Sequence, residues 1–314
     1  LTSIGEGAFF KTKLTELTIP GGVTSIGNGI LSGCPLESIT VEGGTVPDRF
    51  CENVGTLMTA NIGATMIGSS AFKGCKNLST LSLSDGLVGI GGSAFEGCVS
   101  LSSVILPDGL ENLSADAFKN CSLTEVALPS SIEVCGTGIF DGCSSLRSVS
   151  SISNVENIGT WAFAYCESLA EITLGEKLTS IGSGAFSGTA LESISIPAKV
   201  RSMDFSASSS IFVFPKSLKS ITVDESNADF SSRGGILYSK DMKTVLACPA
   251  SITGELVVDA DVGMNAFRES GLSKITFTSD VSKIDAFALY KSAVKTVVLP
   301  DSIKEIEAFA LNTI

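Results

Sequence analysis

The sequence predicts an α/β solenoid, a stack of similar coils in which each coil packs only on its neighbours. Three observations predict it. The dipeptide Ala-Phe recurs at a nearly constant interval, and Ala71, Ala94 and Ala117 are each 23 residues apart. An apolar corner precedes each dipeptide and an apolar strand pattern follows it. No run reaches the ~18 apolar residues of a membrane helix, so we expect the 44% hydrophobic content to form a core.

The anchor dipeptide is the first element of the repeat. Seven copies keep Ala-Phe and four carry variants of it, which gives eleven anchored coils. The small Ala allows close approach and the large Phe fills the coil, so we expect a single helical turn at each anchor. The anchors begin at Ala8, Ile30, Ala71, Ala94, Ala117, Ile139, Ala162, Ala185, Ala266, Ala288 and Ala310.

The corner and the strand are the other two elements. Four residues before most anchors stands Ile followed by Gly, as in Ile67-Gly68, and Gly permits a tight corner there. After the anchor comes the pattern apolar-x-x-apolar-x-apolar, for example Leu101, Val104 and Leu106. Its last three positions alternate with the period of a strand, which predicts one buried and one exposed face. Pro often closes the strand, as Pro107 does, because it cannot donate a ladder hydrogen bond.

The combined consensus, L-x-x-I-x-I-P-x-x-L-x-x-I-G-x-x-A-F-x-x-C, resembles the repeat of the BspA-type (TpLRR) leucine-rich-repeat family. The resemblance covers nearly the whole chain, and the Asn column of ordinary leucine-rich repeats is missing. It implies a right-handed superhelix with short strands on the concave face and short helical turns or loops elsewhere. It also implies a bacterial or protist surface-protein family that is often linked to adhesion and host contact. We expect residues 1–314 to form a single solenoid domain.

Two regions depart from the repeat. One shortened coil is expected around Phe50-Cys51, and an irregular insertion is expected at about 205–249. Within the insertion, Ile236-Leu237-Tyr238 and Thr244-Val245-Leu246-Ala247 flank a polar loop, which predicts a hairpin. The motif N-x-x-F-x-x-x-x-G-x-L-Y-x-x-D, which starts at Asn227, is similar to an insertion that recurs in the family.

The insertion is also the candidate contact region for a partner. Regular coils present repetitive surfaces of small residues, whereas insertions in repeat proteins often map to the binding face. Aromatic side chains are enriched at interfaces, and this segment is dense in them. The alternative is that the rings only pin the insertion onto the solenoid, and burial of the rings would distinguish the two. The candidate residues are Phe205, Phe212, Phe214, Phe230 and Tyr238.

Six of the nine cysteines form a column four residues after the first anchor residue. A metal site or a disulfide framework would give them a function. However, no Cys-x₂-Cys pair exists, and a column points all its side chains one way. We therefore predict buried free thiols that act as small apolar core residues. The column comprises Cys34, Cys75, Cys98, Cys121, Cys143 and Cys166.

The composition excludes several classes of function. The chain has no histidine and therefore no histidine general base, and no catalytic or cofactor motif is present. The net charge of −12 argues against a nucleic-acid partner or an anionic lipid surface. We therefore expect a non-enzymatic protein with no cofactor, no metal, no nucleic-acid partner and no membrane contact within these residues.

The function expected from the sequence is a secreted or cell-surface module that binds a protein, extracellular-matrix or host-surface ligand. The alternative is a structural spacer that displays another domain of a longer surface protein. The chain begins with Leu1 inside a repeat, so we expect a fragment whose signal peptide and anchor lie outside it.

Overall fold

The structure is a computed structural model that describes residues 1–31, 33–204 and 215–313. It is a right-handed β-solenoid with parallel strands in two compact units, Leu1–Leu169 and Ala170–Ile314.

The first unit contains two rows of parallel strands. The longer strands pair through equivalent residues of successive coils, for example Leu17 with Ile39. They are Glu16–Ile19, Ser38–Val41, Thr59–Ile62, Thr80–Leu83, Glu125–Ala127 and Ser148–Ser150. The second row consists of two-residue strands at the corners: Ser3–Ile4, Ser25–Ile26, Thr45–Val46, Met66–Ile67, Gly89–Ile90, Asn112–Leu113, Val134–Cys135 and Asn157–Ile158.

The second unit combines parallel pairs with the predicted hairpin. Antiparallel pairing joins Ile236–Ser239 to Thr244–Ala247, which confirms the hairpin, and a strand that the sequence did not predict, Phe230–Arg233, pairs on its other side. The parallel strands are Ser180–Ile181, Ser193–Ile196, Ser202–Met203, Ser220–Val223, Thr253–Val258, Asp261–Val262, Gly271–Phe277, Lys283–Ile284, Thr296–Val298 and Glu305–Ile306.

The expected helical turn at each anchor is wrong. The described residues contain only one short helix, the 3₁₀ helix Ile152–Asn154, so the α/β description becomes a β-solenoid. At the anchors, every second backbone N–H points out of its own coil toward a neighbouring coil. The N–H groups of Ser70, Phe72 and Gly74 donate to the following coil, whereas those between them donate three residues back. An α-helix would direct every N–H along its own axis, so this alternation excludes a helix.

Left-handed backbone produces this alternation. The turns from Ala8 to Ala288 have a positive φ one residue before the anchor and again three residues after its first residue, as at Ser70 (56°) and Gly74 (72°). Gly, Asn, Asp and Ser occupy most of these positions, and glycine, asparagine and aspartate are the residues that tolerate this conformation best. The anchor is therefore a chain of flipped turns that hydrogen-bonds coil to coil.

The phenylalanine column fills the centre of the first unit. Phe72, Phe95 and Phe118 are fully buried and lie parallel, with ring centroids 5.3 Å apart between successive coils. The column continues through Phe140 and Phe163 at 6.0 Å and 5.7 Å. Offset stacking adds to the hydrophobic burial of each ring.

The shortened coil keeps its hydrogen-bond ladders. From the corner strand Thr45–Val46 to Phe50 the chain covers the same five residues as from Gly89–Ile90 to Ala94. The coil is shorter because the loops between the two strand rows, at 42–44 and again at 63–65, have fewer residues than the equivalent loop at 84–88. Phe50 takes the Ala position and Cys51 takes the Phe position, and the Phe50 ring packs edge-on against Phe72 at 6.2 Å.

Two predicted strands are not formed, one at 101–106 and one at 169–174. Residues 101–106 make no strand ladder, although Leu101, Val104 and Leu106 point inward as their pattern requires. Their outward neighbour Ile105 is among the most exposed apolar side chains of the described residues.

Candidate binding surfaces

The thiol column is buried, as predicted, and its thiols also form hydrogen bonds between coils. Each thiol donates a hydrogen bond to a backbone carbonyl of the preceding coil. Cys98 Sγ lies 3.2 Å from the Phe72 oxygen and Cys121 Sγ lies 3.1 Å from the Phe95 oxygen. The same contact recurs at Cys34, Cys75, Cys143 and Cys166. The Phe95 carbonyl thus accepts both the Cys98 N–H of its own coil and the thiol of the next.

Burial makes these thiols poor nucleophiles. Desolvation raises the pKa of Cys75 and of Cys143 to about 12, and it raises the pKa of Cys98 and Cys121 as well. A thiol with so high a pKa is protonated at neutral pH, and only the thiolate attacks or binds metal. All nine cysteines are free and buried, so the column is structural.

A row of charges crosses the turn face of the first unit, between its two left-handed positions. Lys73 Nζ lies 2.8 Å from Glu96, and Lys119 Nζ lies 2.8 Å from Asp141. Burial would raise the Glu96 pKa, but hydrogen bonds led by Lys73 outweigh it and the pKa falls. Asp141 raises the pKa of Lys119. Because the sign of the charge alternates on successive coils, the charges in this row neutralise one another.

Aromatic side chains occupy four of the left-handed positions. Trp161 (φ 58°) and Tyr165 (φ 55°) share one coil of the first unit, and Phe287 (58°) and Phe309 (57°) lie in the second. For a residue with a Cβ this conformation costs roughly 1–2 kcal/mol. The sequence analysis did not predict these positions, although it placed the anchor correctly at the buried pair Ala288-Leu289 and not at Ala286-Phe287.

In the second unit these rings belong to an aromatic–cation cluster, which we define as Phe287, Tyr290, Phe309, Arg268 and Lys291. Phe287 stacks on Phe309 at 5.5 Å and meets Tyr290 edge-on at 5.8 Å. The Arg268 guanidinium lies over the Tyr290 ring at 4.6 Å, and the Lys291 ammonium lies over the same ring at 5.4 Å. Cation–π attraction holds these side chains in fixed positions at a surface.

A hollow of about 420 Å³ lies in the same unit and is lined by Lys216, Ala250, Glu269 and Lys291. Glu269 lies 3.9 Å from Lys216 and 3.7 Å from Arg268. Three cations, Lys216, Arg268 and Lys291, lie near Glu269 at the hollow, on a chain whose overall charge is −12. The Glu307 carboxylate borders the cluster, where it accepts the Ala286 N–H.

The aromatic residues expected as partner contacts fall into two groups. Phe230 and Tyr238 lie in the hairpin and are only 7% and 5% exposed. The Tyr238 ring is covered by the Arg233 guanidinium at 5.1 Å, and Arg233 in turn pairs with Asp259. Burial of this kind is what the pinning alternative requires of these two rings. Phe205, Phe212 and Phe214 lie outside the described residues.

Asn227 fixes the start of this hairpin, a role that the sequence analysis did not predict. Its side chain is fully buried, and Nδ2 donates to the carbonyls of Pro197 (2.8 Å) and Val200 (3.0 Å). Its Oδ1 accepts the N–H groups of Asp229 and Phe230, each at 2.9 Å. All four bonding sites of the amide are used. Asn227 is the first residue of the motif that resembles the family's insertion, but the motif does not show which backbone groups its amide bonds.

The outward strand face is polar and open, with Thr18, Thr40, Asn61 and Ser82 in register on four paired strands. The described part of the chain holds no group of three or more carboxylate or thiol side chains placed to ligate a metal ion. Among the same residues, no helix reaches the length and hydrophobicity of a membrane-spanning segment.

Comparison with protein families gives one match, to the BspA-type leucine-rich-repeat region. Six copies match residues 1–50, 65–168, 148–235 and 260–314. Among curated proteins no relative of the chain was found.

Three solved structures are similar in fold. A leucine-rich-repeat protein from Bacteroides ovatus has 24% identity and a TM-score of 0.57, over 100% of this chain and 68% of that one. A leucine-rich cell-surface protein from Faecalibacterium prausnitzii has 22% identity and a TM-score of 0.55, over 93% and 71%. A leucine-rich-repeat protein from Eubacterium ventriosum has 20% identity and a TM-score of 0.53, over 89% and 83%. The family match covers most of the repeat columns described above, and the chain therefore belongs to the BspA-type leucine-rich-repeat family.

Proposed function

We propose that the chain is a non-enzymatic, secreted or cell-surface module that binds a protein partner through the aromatic–cation cluster of its second unit. The observation that supports this is the exposure of Phe309 beside the partly exposed Phe287 and Tyr290, with Arg268 and Lys291 over the Tyr290 ring. Tyr and Arg are the residues on which protein interfaces concentrate their binding energy.

The cluster is suited to contact because it is already ordered. A partner that covers stacked rings does not have to immobilise them, so less conformational entropy is lost on binding. The surrounding cations, Arg268, Lys216 and Lys291, favour a partner whose contact surface carries carboxylates beside an apolar side chain.

The non-enzymatic part of the proposal is supported by the state of the reactive groups. The chain has no histidine, and its buried thiols are protonated at neutral pH. The surface location is supported by the family and by the name of the similar cell-surface protein from Faecalibacterium prausnitzii.

The segment at about 205–249 remains a second region to test. A partner would reach Phe230 and Tyr238 only if the hairpin opened, so contact there would depend on Phe205, Phe212 and Phe214. Substitutions in this segment and substitutions in the aromatic–cation cluster, made in separate variants, show which of the two regions contacts the partner.

The test measures binding of the intact chain to a panel of purified extracellular-matrix and host-surface proteins by surface plasmon resonance. Tyr290→Ala and Phe287→Gly should weaken a specific interaction at least about tenfold, as expected of an interface hot spot. Gly suits the left-handed backbone at position 287, so that variant should fold normally. Phe10→Ala, which removes an exposed ring of the first unit, is the matched control.

Two results would contradict the proposed location or function. Binding that survives both cluster variants but is lost in Phe212→Ala and Phe214→Ala would move the contact to the insertion. Failure of every panel protein to bind the wild-type chain would favour the spacer alternative.

A further inference from the structure

We propose that Trp161 and Tyr165, together with the neighbouring Asp116 and Asn120, form a platform on the first unit that binds a neutral sugar chain. This goes beyond the protein contact proposed above. It rests on other residues and another ligand class, so each proposal can fail without the other.

The first observation is the backbone strain at the two rings. Trp161 and Tyr165 take left-handed φ values of 58° and 55° on one coil. At the same two positions the preceding coil has Gly138 and Gly142, which adopt this conformation without strain. Tyr165 is 57% exposed, so packing of its ring offsets little of the cost. Strain kept at the surface, where a Gly would remove it, points to a use for the rings themselves.

The second observation is that the preceding coil places glycines beside the two rings, of which Tyr165 is exposed and Trp161 is partly exposed. Gly138 N–H donates to the Thr160 oxygen and Gly142 N–H donates to the Ala164 oxygen. This register sets Gly138 beside Trp161 and Gly142 beside Tyr165. Neither glycine has a side chain, so these two positions place no side chain over the rings.

The third observation is the polar groups that border the rings. The Asp116 and Asn120 side chains of the coil before lie over the two glycines, and a Cβ there would approach their oxygens to 2.2 Å and 2.1 Å. Coils repeat at about 4.8 Å, so a carboxylate and an amide lie within two coil spacings of the rings. Both side chains are accessible, Asp116 partly and Asn120 openly.

This combination fits the chemistry of a neutral sugar. A pyranose ring has an apolar C–H face that packs on an aromatic ring, and hydroxyls at its rim that donate to a carboxylate and exchange hydrogen bonds with an amide. A protein hot spot instead needs apolar neighbours that exclude water, and here the neighbours are glycine, Asp and Asn. An anionic sugar would meet the carboxylates of Asp116 and Asp141, with Lys119 already paired between them.

The test uses the intrinsic fluorescence of Trp161, the only tryptophan of the chain. Cellohexaose, a neutral glucan oligomer, and mannohexaose are titrated into the full 314-residue protein, with heparin as the anionic comparison. We expect a saturable change in the emission of Trp161 with at least one neutral oligomer and none with heparin.

Glycine variants separate binding from folding. Tyr165→Gly copies the preceding coil at a strained position, so the midpoint of chemical unfolding should stay close to that of the wild type. Its affinity for the neutral oligomer should fall about tenfold, the loss expected when one ring contact is removed. Trp161→Gly, followed by titration calorimetry, should lose binding entirely, and Phe10→Ala should keep it.

Three results would overturn the proposal. They are no saturable response to either neutral oligomer, undiminished affinity in Tyr165→Gly, and loss of a protein partner instead of a sugar in the two glycine variants. The last would identify the rings as a protein contact.

Discussion

The two units of the chain solve the same packing problem with different side chains. In the first unit the columns are uniform, with Phe72 through Phe163 stacked and thiols hydrogen-bonded from Cys75 through Cys166. In the second unit the thiol column is occupied by hydroxyls, at Thr189, Ser270 and Ser292. What both units retain is the backbone ladder, for example from the Phe267 N–H to the Ala288 oxygen. The ladder therefore defines the coil, and the columns modulate its stability.

The hydroxyl column is less well satisfied than the thiol column. Thr189 Oγ1 donates back to the Phe186 oxygen of its own coil. Ser270 Oγ and Ser292 Oγ are buried and have no hydrogen-bond partner among the described residues. Sulfur bonds to Cβ through a longer bond than oxygen does, and this extra reach carries the thiol to the next coil. The second unit instead relies on local pins such as Asn227 and the Arg233–Asp259 pair.

The largest expected difference between the units comes from the phenylalanine column. Phe118→Ala should lower the free energy of unfolding by about 3–5 kcal/mol, because it leaves a cavity and removes two stacked ring pairs. Phe267→Ala, also fully buried but followed by Leu289, should cost about 1–2 kcal/mol less. Urea unfolding of each variant measures this. Equal losses at the two sites would mean that ring stacking adds nothing to burial.

The second prediction concerns the pin of the second unit. Asn227→Ala should cost about 2–4 kcal/mol, because it leaves the N–H groups of Asp229 and Phe230 and the carbonyls of Pro197 and Val200 without their buried partner. Hydrogen exchange followed by mass spectrometry should show faster exchange in the hairpin at 230–247. Asp224→Ala, an exposed turn residue three positions earlier, is the control and should change little. Unchanged exchange in the hairpin would remove Asn227 from this role.

The third prediction exchanges column chemistry between the units. Cys121→Ser should destabilise the first unit by about 1–2 kcal/mol, since the hydroxyl is too short for the Phe95 carbonyl and remains unpaired. Ser292→Cys should stabilise the second by about 0.5–1.5 kcal/mol by reaching the Phe267 carbonyl. Chemical melts check the two changes, and the comparison fails if both shift stability in the same direction.

The native thiols should react slowly in a thiol titration, and many more of them should react after denaturation.

The smallest effect is electrostatic. Lys73→Met should cost at most about 1 kcal/mol at neutral pH, because solvent partly screens the pair with Glu96. The Glu96 pKa is lowered in the folded state, so its contribution is present above the unfolded-state pKa. It disappears as pH falls through the folded-state pKa.

Wild type and Lys73→Met should therefore converge in acid, below the ordinary range of a glutamate. In the second unit Lys283 bonds Asp285 and Glu307 at the open surface, and high salt should weaken that network more than the first-unit pair. A stability gap for Lys73→Met that persists in acid would show that the Lys73 stem, not its charge, packs against the coil.

The sequence predicted the repeat, the buried columns, the shortened coil and the hairpin because these depend on periodic apolar residues. It did not predict the flipped turns at the anchors, since left-handed backbone at Ser70 or Trp161 follows from pairing between coils and not from local propensity. The exposed clusters were missed for a related reason. Trp161 and Tyr290 lie outside the buried apolar columns from which the repeat was recognised, and their neighbours come from coils ~22 residues away in the chain.

The flipped turns have an electrical consequence. In the five successive anchors from Phe50 to Ile139, three peptide groups lie along the stack, with each of these N–H groups directed toward the following coil, as at Ser93, Phe95 and Gly97. Three aligned peptides per ~4.8 Å is close to the 3.6 per ~5.4 Å of an α-helix. Each carries a dipole of about 3.5 D, and dipoles that point the same way add. The turn face thus carries a macrodipole of helical strength in a unit whose described residues contain one 3₁₀ turn, and its positive pole lies toward the coil that bears Trp161 and Tyr165.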